Sequence, residues 1–219
     1  MKKMIVSPSI LVCDYLHLEN ELKKIKDAGC TWIHLDVMDG HFVPNISFGN
    51  IFFEKLFKEI DFVKDVHLMV EDPMSFVKKF AKTGADYLTF HYEACKNDDE
   101  VDAVIDEIHK YKMKAGLSVK PETPIEKVYP FLEKLDLVLV MSVEPGAGGQ
   151  KFIPETLDRI SALIDEIVET RSHALISVDG GINDITGKDC LNIGADVLVA
   201  GNYLFSADNF KERYDSLFH

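Results

Sequence analysis

The fold of this chain is decided by one stretch near its N-terminus, Thr31-Trp32-Ile33-His34-Leu35-Asp36-Val37-Met38-Asp39-Gly40. Side chains alternate across a β-strand, so His34, Asp36 and Met38 share one face. The opposite face is purely aliphatic, with Ile33, Leu35 and Val37. A barrel strand packs its outer face on apolar helices, so the histidine and the carboxylate point inwards, where burial demands partners for both. The stretch therefore predicts an inward-facing polar site on a barrel strand.

Similar short apolar runs recur from end to end and alternate with helix-period segments such as Leu16–Ala28, Ser75–Thr83 and Leu157–Thr170. Eight strand–helix units in 219 residues give about 27 residues each (219/8). This spacing predicts a single-domain (β/α)8 TIM barrel over residues 1–219, with a doubly wound open sheet as the alternative. The strand candidates are Met4–Ser9, Thr31–Met38, Val63–Val70, Tyr87–His91, Ala115–Lys120, Leu137–Val143, Leu175–Asp179 and Val197–Ala200.

Short local signals mark the helix ends. Asp72-Pro73 is typical of an N-cap followed by proline at the first helical position. Thr123 and Glu126 have the spacing of a capping box. Three glycines stand where a helix should end before the next strand: Gly29, Gly84 and Gly194.

The composition excludes several classes of partner. Lys and Arg number 24 against 37 Asp and Glu, a net charge of −13 that disfavours nucleic acid and anionic lipid. No apolar run approaches the ~18 residues of a membrane span. Met1–Val6 is too short for a signal peptide, which predicts a cytoplasmic protein. The cysteines lie far apart without a C-x-x-C pair, which predicts reduced thiols: Cys13, Cys30, Cys95 and Cys190.

A metal site is indicated by four side chains on three predicted strands. His34 and Asp36 are joined by His67 on the third strand and by Asp179 at the end of the seventh. Two imidazoles and two carboxylates suit a divalent zinc, iron, manganese or cobalt ion. His34 and His67 alone could be core histidines and Asp179 alone could cap a turn, but an unpaired carboxylate in the middle of a strand, as at Asp36, is rare. The combination favours the metal. Asp39, before Gly40, is predicted to be a turn residue.

Glycine-rich loops after the last three strands indicate a bound phosphate. Barrels commonly hold phosphate on the loops after strands seven and eight, where backbone N–H groups and a short helix N-terminus meet the anion. The residues concerned are Gly146, Ala147, Gly148, Gly149, Gly180, Gly181, Gly201 and Asn202.

With these residues in place, the chain resembles the ribulose-phosphate 3-epimerase family. The similarity runs from the first strand to the last, and its most specific part is the segment 34–45. The matching stretches are Ser7–Leu11, His34–Asn45, His67–Val70, Val143–Gly146, Gly148–Phe152 and Val178–Ile182.

The resemblance implies a TIM barrel that interconverts D-ribulose 5-phosphate and D-xylulose 5-phosphate in the pentose phosphate pathway. It implies a ketose phosphate substrate, homo-oligomeric assembly, and one divalent ion bound by His34, Asp36, His67 and Asp179. It also implies that Ser9, together with His67 and Asp179, contacts substrate, and that three methionines line the space over the reacting carbons: Met38, Met69 and Met141. Ala147 and Asn202 depart from the family, which usually has a bulkier residue and a serine there.

Inversion beside a carbonyl requires one proton donor or acceptor on each face of the substrate. The hypothesis is that Asp36 acts as base and Asp179 as acid, with the roles exchanged in reverse, through an enediolate. The alternatives are allulose-6-phosphate 3-epimerase, a non-catalytic phosphosugar-binding barrel, and a Schiff-base aldolase using Lys120. A related decarboxylase or hexulose-phosphate synthase would require an Asp-x-Lys-x-x-Asp strand, which the segment 36–39 lacks.

Overall fold

The computed structural model describes residues 4–218, in which eight parallel strands form a barrel. The strands are β1 Ile5–Pro8, β2 Trp32–Met38, β3 Val63–Met69, β4 Tyr87–His91, β5 Lys114–Val119, β6 Leu137–Met141, β7 Leu175–Asp179 and β8 Val197–Ala200. Each pairs with its sequence neighbour from β2 to β8, and β8 pairs with β1. A parallel bridge between Ser9 and His34 joins β1 to β2. This closed order of strands confirms the predicted barrel rather than the open sheet. The predicted domain limits, residues 1 and 219, lie outside the described residues.

Helices pack around the outside of the strands. They are α1 Leu18–Asp27, α2 Asn50–Glu59, α3 Met74–Thr83, α4 Asp98–Lys110, α5 Thr156–Thr170, α6 Asp184–Ile193, α7 Asn202–Phe205 and α8 Phe210–Ser216. The connection after β5 is instead a 3₁₀ segment, Ile125–Phe131, which contains Pro130. Proline lacks the N–H that an α-helix needs and clashes with its preceding turn. The predicted strand and helix bounds differ from these by at most two residues.

The predicted glycine boundaries are confirmed. Gly84 and Gly194 end α3 and α6 with φ of 90° and 128°, and Gly29 follows α1 with φ of 87°. These values lie in the region that glycine adopts without steric cost. Asp72 Oδ1 accepts the backbone N–H of Ser75 at 3.3 Å, as expected of a cap at the start of α3.

The predicted capping box is wrong. The Thr123 hydroxyl donates to Glu93 Oε1, and the segment after Pro124 starts with no side-chain cap. A carboxylate brought in from the loop after β4 therefore takes the hydroxyl that the local spacing assigned to a helix cap.

Two large apolar regions hold the barrel, and a small third one consists of Met38, Val43 and Met69. The outer one lies between strands and helices and includes the aliphatic face of β2, with Ile33 and Leu35 fully buried. The inner one fills the base of the barrel, where the rings of Trp32 and Tyr87 lie 4.6 Å apart. Burial of such side chains supplies most of the favourable folding energy.

Gly116 on β5 leaves room for its neighbour inside the barrel. A Cβ at this position would stand 2.1 Å from Thr89 Oγ1 and 2.9 Å from Thr89 Cβ on β4. We expect Gly116→Ala to lower the free energy of unfolding by about 1–3 kcal/mol, the usual range for overpacking. Denaturant titration should show a smaller loss in a Thr89→Ala background, since the closest atom is then absent. Equal losses in both backgrounds would contradict this packing account.

Two further expectations concern the chain as a whole. The four cysteines carry free thiols, and burial raises the pKa of Cys13 and Cys190 to about 12. Among residues 4–218, no helix is long and apolar enough to cross a bilayer.

Candidate active site

Four side chains converge at the carboxyl ends of the strands. His34 and Asp36 come from β2, His67 from β3 and Asp179 from the end of β7. One ligand atom of each lies within 4.8 Å of all the others. His34 Nε2 is 3.4 Å from Asp36 Oδ1, and His67 Nδ1 is 3.2 Å from the same oxygen. Asp179 Oδ2 lies 3.9 Å from each of these nitrogens, so all four surround a common space.

His34 presents an unpartnered nitrogen to this space. Its Nδ1 pairs with Asp65 Oδ2 at 2.7 Å, whereas Nε2 is buried and makes no hydrogen bond among the described residues, although Asp36 Oδ1 lies 3.4 Å away. A buried ring nitrogen without a partner is costly, and a cation would satisfy it. A carboxylate behind a ligand histidine is the usual arrangement at metal centres. The donor set and this orphaned atom fit a divalent transition metal.

Whereas His34 directs its Nε2 towards this space, His67 directs its Nδ1 there. Its Nδ1 faces Asp36, and its Nε2 lies 2.8 Å from His91 Nε2 on β4. Both imidazoles are fully buried, and burial lowers the pKa of His91 to about 4. The two candidate ligand histidines therefore offer different nitrogens, Nε2 of His34 and Nδ1 of His67.

The environments of the two aspartates separate their pKa values. Burial raises the pKa of Asp179 to about 6, and the negative charge of Asp36 adds to the effect. Burial also disfavours ionised Asp36, but His34 and His67 outweigh it and hold the pKa of Asp36 well below its usual value. Neighbouring carboxylates separated in this way are typical of an acid and a base in one site.

A cavity of about 250 Å³ opens beside Asp36 and Asp179. Ser9 lines it and donates a 2.6 Å hydrogen bond to Asp36 Oδ2. Every residue predicted to bind or cover substrate lies in its wall except His67, which is fully buried beside Asp36. The wall therefore includes Met38, Met69, Met141, Gly146, Ala147, Gly148, Gly149, Gly180, Gly181, Gly201 and Asn202.

The glycine loops meet one another in this wall. A Cβ on Gly149, whose φ is 78°, would stand 2.5 Å from Asn202 Nδ2. A Cβ on Gly181 would stand 2.4 Å from the backbone nitrogen of Phe152. The loops after β6, β7 and β8 therefore approach so closely that side chains at these positions would force them apart.

Other predicted residues have different surroundings. Asp39 is a turn residue, as predicted, because its Oδ1 accepts the backbone N–H groups of His41 and Phe42 at 2.8 and 2.9 Å. Lys120 does not line the cavity; its ammonium group lies 4.3 Å from the centre of the Phe42 ring. Within residues 4–218, no lysine lines the cavity, so the aldolase alternative has no nucleophile there.

Two polar side chains that support the site are absent from the predicted set. Asp65 shares the inward face of β3 with His67, so the alternation that located His67 also carries the signal for Asp65. Ser142 follows β6, and its hydroxyl oxygen lies within hydrogen-bond distance of two carbonyl oxygens, that of Asp179 at 2.8 Å and that of Gly180 at 2.6 Å. No local pattern marks Ser142, because its partners come from another strand.

Comparison with known sequences agrees with these features. A model of the ribulose-phosphate 3 epimerase family matches residues 5–205. A ribulose-phosphate 3-epimerase of Bacillus subtilis (strain 168) is 41% identical over 215 residues, 97% of each chain. One from Chlamydia muridarum is 40% identical over 220 residues, covering 97% of this chain and 95% of that protein.

Solved structures share the fold at low sequence identity. Orotidine 5'-phosphate decarboxylase from Pyrococcus horikoshii OT3 superposes with a TM-score of 0.71 at 16% identity, covering 98% of this chain and 97% of that one. 3-Hexulose-6-phosphate synthase from Salmonella typhimurium gives 0.68 at 18% identity, covering 98% and 96%. At this identity the similarity concerns the barrel alone.

Proposed function

The chain belongs to the ribulose-phosphate 3-epimerase family, and from that premise we propose that it interconverts D-ribulose 5-phosphate and D-xylulose 5-phosphate. The family makes the protein an isomerase of the epimerase type. The observation that carries the proposal is the cluster of Asp36 and Asp179, which line the cavity, with the buried His34 and His67. This pentose reaction would place the enzyme in the pentose phosphate pathway.

The two aspartates are proposed to move the proton at C3. Asp36, held ionised by the two histidines, removes it from one face, and Asp179, whose pKa is raised by burial and by the charge of Asp36, returns one to the other. The roles exchange in the reverse direction. The Ser9 hydroxyl holds Asp36 Oδ2 and orients the carboxylate. Three methionines cover the enediolate with polarisable side chains that carry no exchangeable proton: Met38, Met69 and Met141.

His34, Asp36, His67 and Asp179 are proposed to hold one divalent ion. When bound, the ion supplies positive charge that stabilises negative charge developing on the substrate oxygens. Zinc, iron, manganese and cobalt all accept two imidazoles and two carboxylates.

The proposed epimerisation is tested by isotope exchange at C3. We expect solvent deuterium at C3 of the xylulose 5-phosphate that the enzyme forms from ribulose 5-phosphate, because one aspartate takes the original proton and the other delivers one derived from solvent. Proton NMR follows both the product and its label. A phosphosugar-binding protein without catalysis would exchange nothing, and preferential turnover of allulose 6-phosphate would favour the six-carbon alternative.

The phosphate is proposed to bind the loops after β6, β7 and β8. Gly149→Ala should raise KM for ribulose 5-phosphate about 10–100-fold, because the new Cβ displaces Asn202 and a hydrogen bond to a charged group is worth about 1.5–3 kcal/mol. Steady-state kinetics gives the value. Gly29→Ala is the matched control, since its φ is also positive at 87° but nothing lies within 4 Å. An unchanged KM in Gly149→Ala would contradict this placement.

We also propose a cytoplasmic homo-oligomer with no nucleic-acid partner. The net charge of −13 supports the last point. Exposed apolar side chains support self-association, since Leu16 is 90% exposed and Ile46 is 79% exposed around the contact of Tyr15 with Phe48.

A further inference from the structure

A line of buried polar groups leads away from the proposed metal centre through His67. His67 Nε2 lies 2.8 Å from His91 Nε2, and His91 Nδ1 lies 3.3 Å from Glu93 Oε2. Both rings are fully buried, and the Glu93 side chain is 20% exposed. The ring of Phe42 covers His91 at 4.8 Å between centroids. The mechanism described above uses neither His91 nor Glu93.

The direction of the hydrogen bonds in this line decides which nitrogen of His67 is free. A neutral imidazole carries one N–H, and a nitrogen that binds a cation must offer its lone pair. If Nδ1 of His67 faces the cation, Nε2 carries the hydrogen and donates it to His91. His91 then carries its own hydrogen on Nδ1, pointing at Glu93. In the reversed line, a hydrogen on Nδ1 of His67 blocks the site.

Glu93 selects between the two directions. An ionised carboxylate only accepts hydrogen bonds, so it requires the hydrogen of His91 on Nδ1. Glu93 Oε1 is fixed by the Lys120 backbone N–H at 2.8 Å and by the Thr123 hydroxyl, which leaves Oε2 for His91. Although burial opposes ionisation, the hydrogen bonds from His91 and Thr123 lower the pKa of Glu93 to about 2.

We propose that Glu93, acting through His91, is a positioning residue that keeps Nδ1 of His67 free for the metal. His34 achieves the same result directly, because Asp65 takes its Nδ1 and leaves Nε2 for the site. A carboxylate therefore orients each candidate histidine ligand. Asp65 contacts His34 directly, and Glu93 acts on His67 through the imidazole of His91. The inference rests on the proposed metal centre and names the residues that orient it.

Glu93→Gln is the decisive variant. Its amide oxygen can replace Oε1 and keep Lys120 and Thr123 bound, so its NH₂ group then faces His91 Nδ1. A donor at this position forces the hydrogen of His91 onto Nε2 and reverses the line. We expect the affinity for Zn²⁺, measured by competition with a chelating indicator, to fall about 10–100-fold, the usual effect of losing such a partner. Glu122→Gln removes the same charge from an exposed side chain and should bind Zn²⁺ with the same affinity as the unmodified protein.

Two measurements keep the outcomes distinct. NMR of the imidazole nitrogens in isotope-labelled, zinc-loaded wild-type protein should show the hydrogens of His67 on Nε2 and of His91 on Nδ1, whether or not Glu93→Gln folds. If the hydrogens lie on the opposite ring nitrogens, or if folded Glu93→Gln protein binds zinc with unchanged affinity, this inference is wrong while the proposed metal centre stands. Failure of the wild-type protein to bind zinc would instead count against the proposed metal centre.

Discussion

Replacing either aspartate of the proposed pair is expected to stop epimerisation. Asp36→Asn and Asp179→Asn should each lower kcat by at least about 10³-fold, because an amide neither takes a proton from carbon nor returns one. Asp61→Asn, an exposed substitution with the same change in charge, should leave kcat unchanged. Coupled assay of xylulose 5-phosphate formation gives the three values.

Isotope exchange separates the roles of the two groups. Each variant keeps one carboxylate, so it should still exchange the C3 hydrogen of one epimer with solvent without inverting it. The two variants should select opposite epimers, since the scheme assigns one face of the substrate to Asp36 on β2 and the other to Asp179 on β7, two strands that do not pair with each other. Exchange of both epimers by one variant would show that a single carboxylate reaches both faces.

The location of the site could be predicted because it depends on short-range rules. Alternation along β2 places His34 and Asp36 on the inward face, and the barrel brings the ends of β3 and β7 to the same mouth. In the structure the four side chains that these rules place at the mouth do cluster, with ligand atoms within 4.8 Å of one another.

The chemistry within the site depends on contacts that are remote in sequence. Asp65, 31 residues away, sets which ring nitrogen of His34 is free. His91, 24 residues away, does the same for His67. The failed capping box has the same origin, since Thr123 binds Glu93 from 30 residues away. A local pattern specifies which groups a residue carries, whereas the partner that each group finds is fixed only when the strands pack.

Removing the metal is expected to abolish turnover and to weaken the fold in the same step. Treatment with a strong chelator should lower kcat by about 10²-fold or more, because several kcal/mol of charge stabilisation are lost. Zn²⁺, Fe²⁺, Mn²⁺ or Co²⁺ should restore it, whereas Mg²⁺, which prefers oxygen ligands, should not. Full activity in metal-free protein would contradict the proposed centre.

The thermal midpoint provides a readout that is independent of catalysis. A ligand of the folded state alone at 100 times its dissociation constant stabilises it by about 2.7 kcal/mol, and each kcal/mol raises Tm by about 2–4 °C in a chain of this size. Zn²⁺ should raise Tm by binding at this site, because its charge would offset the repulsion between Asp36 and Asp179 and would give the buried Nε2 of His34 a partner. His67→Gln should lose this increase, whereas His173→Gln, at an exposed histidine, should keep it. An equal increase in both variants would mean that the ion binds elsewhere on the protein.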